Sequence, residues 1–214
     1  MNEFVMDLPE QDCMKRYDQR YFDRWYRRSR VGVGQREFVE RKVQLALSAA
    51  EYVLGRKVRT VLDVGCGEAP WRALLRRKRP GLQYTGVDGS EYAVQRYGRL
   101  RNIKLGLFGD LGFMQLGGPY DLVVCSDVLH YVRSSEVRKG LAALGPMVGG
   151  AAFIEAFTSA DAIEGDHVEF QHRTPAVYRR LFDEAGLVPL GLHVYTSRKR
   201  FGELVALERG AAGA

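Results

Sequence analysis

The run Val61-Leu62-Asp63-Val64-Gly65-Cys66-Gly67-Glu68-Ala69-Pro70-Trp71 constrains the fold more than any other stretch of the chain. It reads as a buried β-strand ending in an acidic residue, a tight glycine turn, and a helix opened by Pro70. A strand–Gly-x-Gly–helix unit brings bare backbone N–H groups against a ligand, because only glycine allows so close an approach. A second strand, Gln83 to Val87, ends in Asp88, twenty-one residues beyond Gly67. An acid there can hold ribose hydroxyls in a doubly wound α/β fold. Together the two features imply a nucleoside-containing ligand.

At 214 residues and 46% hydrophobic content the chain has the makings of one domain with a sizeable core. Met1 to Glu10 carries neither a charged n-region nor an apolar h-region, so no signal peptide is expected. No apolar run approaches the roughly 18 residues that span a bilayer, and no membrane partner is expected. Cys13, Cys66 and Cys125 are far apart and form no CxxC pair. Neither a disulfide framework nor a zinc site is therefore expected, and a reducing cytoplasm is the natural compartment. The net charge of +6 gathers at Arg24 to Arg30, Arg72 to Arg79 and Arg198 to Arg200. Such clusters attract polyanions or simply solvate helix faces, and charge alone names no partner.

Residues 8–30 mix aromatics with arginines, and the spacing of Tyr17, Tyr21 and Trp25 puts all three on one helical face. Val31-Gly32-Val33-Gly34 breaks that helix, and a second runs from about Gln35 to Leu54, stopped by Gly55. Beyond it strands and helices alternate. Strands are expected near 59–64, 83–87, 103–108, 120–125, 150–157, 187–195 and 201–208, with helices at 70–79, 90–99, 133–144 and 174–186. Tyr120-Asp121-Leu122-Val123-Val124-Cys125 becomes continuously apolar after its first residues, as in a strand buried on both faces. Gly81, Gly118, Gly149-Gly150 and Gly186 read as joins. The alternation predicts a three-layer, Rossmann-like α/β sandwich with a seven-stranded, mostly parallel sheet. Thr196 to Arg200 is short enough to make the last two strands an antiparallel hairpin. Residues 1–54 are expected to form an N-terminal helical cap of the same domain, 55–208 the core, and 209–214 a disordered tail.

The turn departs from a dinucleotide fingerprint. Pro70 stands where G-x-G-x-x-G has its third glycine. Asp63 would repel a pyrophosphate, yet it would suit a ligand carrying an ammonium or sulfonium. No G-K-[ST] follows, which excludes a P-loop. Val61 to Trp71 resembles motif I of the class I S-adenosylmethionine-dependent methyltransferases. Further segments fall in that family's order: Thr85-Gly86-Val87-Asp88-Gly89-Ser90, Gly109-Asp110-Leu111, and Pro119 through Ser126-Asp127-Val128-Leu129-His130-Tyr131. The likeness covers roughly residues 55–208.

The resemblance implies S-adenosylmethionine as methyl donor and S-adenosylhomocysteine as product. It implies donor contacts from Asp63, Gly65, Cys66, Gly67, Asp88, Gly89, Gly109, Asp110, Leu111 and Ser126. Asp88 would take the ribose hydroxyls, Asp110 the adenine amine. Methyl transfer from a sulfonium is an in-line displacement, so alignment and exclusion of water matter most, and a base helps only when the acceptor must lose a proton. His130 is the expected base because it follows the fourth strand and titrates near neutrality; its alternative is to line the pocket. Tyr131, Asp127 and His167 are further candidates. Tyr17, Tyr21, Trp25, Glu155 and His172 are expected at the acceptor pocket, the aromatic trio as a lid or as packing glue. His167, Glu169 and His172 lack the fixed spacing of a metal site, and no metal is expected. The acceptor expected is a small molecule, methylated at O, N or possibly C. The alternative is RNA or protein. Ser126-Asp127-Val128-Leu129 lacks the Pro-Pro signature of adenine-N6 enzymes, and no separate RNA-binding module is present.

Overall fold

The computed structural model describes residues 15–28, 36–163 and 166–209. The chain forms one seven-stranded sheet in the order β3-β2-β1-β4-β5-β7-β6, with β1 Thr60–Val64, β2 Gln83–Asp88, β3 Ile103–Leu105, β4 Tyr120–Ser126, β5 Val148–Glu155, β6 Leu187–Gly191 and β7 Val194–Ser197. β3, β2, β1, β4 and β5 run parallel, and β7 lies antiparallel between β5 and β6. The strand order reverses between β1 and β4, the place where an open α/β sheet leaves a crevice beyond its strand ends.

β4 shows why the sheet is covered on both faces. Leu122 and Val124 pack into the layer that holds Val43 and Leu47 of α2 (Arg36–Leu54), whereas Val123 and Cys125 pack toward Leu141 and Leu144 of α5 (Ser134–Met147). Each face is therefore dry, and the strand reads as an unbroken apolar run. The other long helices are α3 Pro70–Lys78, α4 Glu91–Arg101 and α6 Pro175–Glu184. Among the described residues, no helix is long and apolar enough to cross a membrane.

Asp121 anchors the start of β4. Its carboxylate accepts from the Arg56 guanidinium at 2.7 and 2.9 Å and from the backbone N–H groups of Arg59 and Thr60. Alanine here would leave those two N–H groups without their partner. We expect Asp121→Ala to lower stability by about 1–3 kcal/mol, read as a lower urea midpoint; an unchanged midpoint would contradict this role.

Four details differ from the sequence reading. The hairpin is there, but it spans 187–197 and turns at Leu192-His193, both at positive φ (50° and 65°). Two such residues in a two-residue loop match the twist of paired strands, although the usual Asn-Gly is missing. Residues 201–208, expected as a strand, lie instead in α7 (Arg198–Glu203) and α8 (Ala206–Arg209), with the Ser197 hydroxyl capping α7. Gly149-Gly150 sits inside β5 rather than at a join. A Cβ on Gly150 would come 2.4 Å from the Asp121 carbonyl oxygen, so glycine there lets β5 close onto β4. The third strand stops at Leu105, and Phe108–Phe113 forms a 3-10 turn. The glycine break expected at 31–34 and the tail beyond Arg209 lie outside the described residues.

Candidate functional site

Backbone geometry builds the site first. After β1, Gly65 and Gly67 take φ of 70° and 52°, values that glycine reaches without strain. Pro70 then opens α3 at its first turn, where a missing N–H does no harm. A cavity of about 420 Å³ opens at the carboxyl ends of β1, β2 and β4. Gly65, Gly67, Asp88 and Gly89 form one wall, Phe108 and Gly109 another.

Asp88 is pre-set by the chain itself. Its Oδ2 accepts from the Gly67 N–H at 2.6 Å and its Oδ1 from the Ser90 N–H at 2.8 Å. Each oxygen keeps a lone pair free for a ligand hydroxyl. Burial pushes this carboxyl up, against the pull of both N–H donors.

Asp63 lies beneath the glycine turn, 3% exposed, and does not line the cavity. It accepts from the Tyr84 hydroxyl at 2.7 Å, and burial pushes its carboxyl up to about 7. The folded state thus holds a proton that the unfolded chain releases near pH 4. The contribution of this carboxyl to stability falls as pH rises from about 4 to 7, and Asp88 adds a contribution of the same sign. We expect Asp63→Asn to flatten that decline in urea midpoints measured across the window; a slope equal to wild type would contradict it.

Cys66 is also buried. Its sulfur packs where a Cβ on Gly86 would be, and burial raises its thiol. Gly109 lines the cavity, but Asp110 is exposed and Leu111 is 0% exposed in the core.

The N-terminal segment closes the cavity from above. Asp18 caps α1 (Gln19–Phe22), which continues as a π-helix over Asp23–Arg28. The wider π turn moves the inward position one residue along. Tyr17, Tyr21, Phe22 and Tyr26 therefore face the cavity, whereas Trp25 is half-buried under Arg24 and does not line it. The Tyr26 hydroxyl rests on the glycine turn, 2.2 Å from where a Gly67 Cβ would stand. The segment is tied down by Ser90 Oγ donating to the Tyr17 carbonyl at 2.6 Å and by the Arg27–Glu68 ion pair at 2.8 Å. At its start the Lys15 ammonium pairs with Asp166 at 2.7 Å and lies 3.3 Å from the Tyr131 ring centroid.

A second cavity of about 50 Å³ sits at the carboxyl ends of β4 and β5, against α2. Phe38, Trp71 and Phe157 supply aromatic walls, and Lys42, Ser126 and Glu155 supply polar ones. Glu155 accepts from Lys42 at 2.5 Å and from Ser126 Oγ at 2.7 Å. Trp71 is both core and edge: its ring packs on Phe153 at 5.2 Å while it lines this cavity. Asp127, at φ 65°, lines both cavities.

The expected catalytic residues separate. Tyr131 lines the large cavity and donates to the Asp166 carbonyl; burial raises its hydroxyl. His130 is 1% exposed and lines neither cavity. His167 and His172 are exposed and line neither as well, His172 packing beside Phe170 at 4.9 Å. Among the described residues, no group of three or more His, Cys, Asp or Glu is arranged to hold a metal ion. Sequence reasoning missed Tyr26, Phe22, Lys15 and Lys42. Tyr26 is hidden by the π turn, and the lysines carry no local signature.

The residues present fit S-adenosylmethionine. The positive-φ glycines allow close approach, Asp88 offers paired acceptors, and the cavity lies within the roughly 300–1,000 Å³ typical of small-ligand sites. A switch-point cavity with this turn and this strand-end acid defines the class I S-adenosylmethionine-dependent methyltransferase fold. A family model described as a methyltransferase domain matches residues 34–199, and the chain belongs to that family.

Many solved structures share the fold, among them the following three. One is the sugar N-methyltransferase KedS8 from Streptoalloteichus sp ATCC 53650, 19% identical with TM-score 0.58 over 92% of this chain and 98% of that one. Another is magnesium protoporphyrin IX methyltransferase ChlM from Synechocystis PCC 6803 with bound SAH, 22% identical with TM-score 0.56 over 80% and 86%. The third is DesVI from Streptomyces venezuelae, 16% identical with TM-score 0.56 over 72% and 84%. No curated protein matches the chain.

Proposed function

We propose that this methyltransferase moves a methyl group from S-adenosylmethionine to an oxygen or nitrogen of a small molecule. When bound, the donor supplies a methyl group made electrophilic by its sulfonium. The chain's own residues would hold and align it. Asp88 accepts from the ribose hydroxyls, the Gly65–Gly67 turn receives the amino-acid end, and Phe108 and Gly109 flank the base. Tyr17, Tyr21 and Tyr26 exclude water, which protects the donor and strengthens every electrostatic contact beneath them. Glu155, Trp71 and the rest of the second cavity offer the acceptor a small aromatic niche with hydrogen-bonding ends.

The observation that carries this reading is the pair of adjoining cavities, one sized for a nucleoside and one for a small group, which share Asp127. Sugar, porphyrin and other small-molecule enzymes among the structural neighbours agree with it. The test is incubation with methyl-labelled donor and a metabolite extract, alongside bulk RNA and protein. Label in a small-molecule product is expected. Label only in RNA or protein would overturn the reading.

A further inference from the structure

We propose that Asp127 is a catalytic residue that binds the acceptor's nucleophile, that this nucleophile is an amine, and that His130 is the positioning residue behind it. The inference deepens the reading of these cavities as donor and acceptor sites and rests on it. Asp127 follows β4 at the switch point and lines both cavities. Its backbone is fixed at φ 65°, with its N–H donating to the Glu155 carbonyl at 3.1 Å. Asp127 is the lining residue that the two cavities share.

His130 sets the carboxylate's orientation. Its Nδ1 accepts from the Phe157 backbone N–H at 3.3 Å, and its Nε2 lies in contact with Asp127 Oδ1 at 3.1 Å. The ring is clamped between Phe157, Phe170 and Tyr131, with centroids 4.3–5.3 Å away. The ring thus sits against Oδ1, leaving Oδ2 for the ligand.

The chemistry of a carboxylate selects the acceptor. Carboxylates are weak bases and serve poorly to strip an alcohol. An amine needs no proton removed at the moment of transfer. Its lone pair forms the new N–C bond as the S–C bond breaks, the sulfur keeps that electron pair as a neutral thioether, and the positive charge arrives on nitrogen. A carboxylate beside that nitrogen stabilises the developing ammonium and holds the amine through an N–H···O bond.

Sinefungin, a donor analogue with a protonated amine where the sulfonium methyl stands, probes this contact by calorimetry against S-adenosylhomocysteine. Wild type should bind sinefungin about tenfold more tightly. Asp127→Asn should erase that preference and leave S-adenosylhomocysteine affinity within about twofold. His130→Phe should lose most of the preference, and His130→Gln, which keeps a donor, should restore it. No preference in wild type, or equal losses for both ligands in Asp127→Asn, would overturn the assignment. So would His130→Phe behaving as wild type, or an O-methylated product in the labelling experiment. Failure of wild type to bind S-adenosylhomocysteine at all would instead bring down the donor reading, and this inference with it.

Discussion

Asp88→Ala is expected to weaken S-adenosylmethionine binding at least about 100-fold. Two ribose hydroxyls would lose a charged acceptor, and hydrogen bonds to charged groups contribute about 1.5–3 kcal/mol each. Either end of that range, doubled, gives a loss of two decades or more. The same side chain also holds the glycine turn, through its bonds to the N–H groups of Gly67 and Ser90. Asp88→Asn therefore separates the effects: it keeps one acceptor oxygen, loses the charge, and should fall between wild type and alanine. Calorimetry reads both variants, with circular dichroism to establish folding. Wild-type affinity in a folded Asp88→Ala protein would remove Asp88 from the site.

Gly140→Ala should be among the most damaging conservative changes in the core. Gly140 lies in α5, and a Cβ there would stand 2.3 Å from the Phe108 carbonyl oxygen and 2.3 Å from its ring. Alanine would contribute about 1 kcal/mol in helix propensity. Overpacking against a backbone atom costs up to about 3 kcal/mol and occasionally more, so the steric effect wins and the variant unfolds at lower urea. Because Phe108 and Gly109 wall the large cavity, donor affinity should fall as well. A raised urea midpoint would contradict the close packing of α5 on this turn.

The parts legible in the sequence are those written in local chemistry. Val61 to Trp71 encodes strand, glycine turn and proline-opened helix in consecutive residues, and β4 announces two-sided burial by its apolar run. Helix α2 follows directly from Val39, Val43 and Leu47 at helical spacing. What the sequence hid depends on register or on distant contacts. Nothing in Asp23–Arg28 signals a π turn, so Trp25 rather than Tyr26 seemed to face inward. Leu192-His193 turns a hairpin without glycine or asparagine at its corner, which displaced the last strand. His130 has the residue type of a base, yet only the fold shows it closed behind Asp127 and packed on Phe170, forty residues away in the chain.

The placement of the N-terminal segment has a similar origin. Lys15 has a 3%-exposed side chain only because Asp166 and Tyr131 meet it from other parts of the chain. Burial lowers this ammonium's pKa, with Asp166 pulling the other way. These contacts join the N-terminal segment to the loop after β5, the two elements that would cover a bound donor and acceptor.

The crevice between β1 and β4 is where S-adenosylmethionine should bind. Isothermal titration of the folded wild-type chain with S-adenosylmethionine, repeated with Asp88→Ala, tests it most directly. Saturable one-to-one binding is expected, and the variant should lose it. Absence of binding by folded wild type, or equal binding by both proteins, would contradict it.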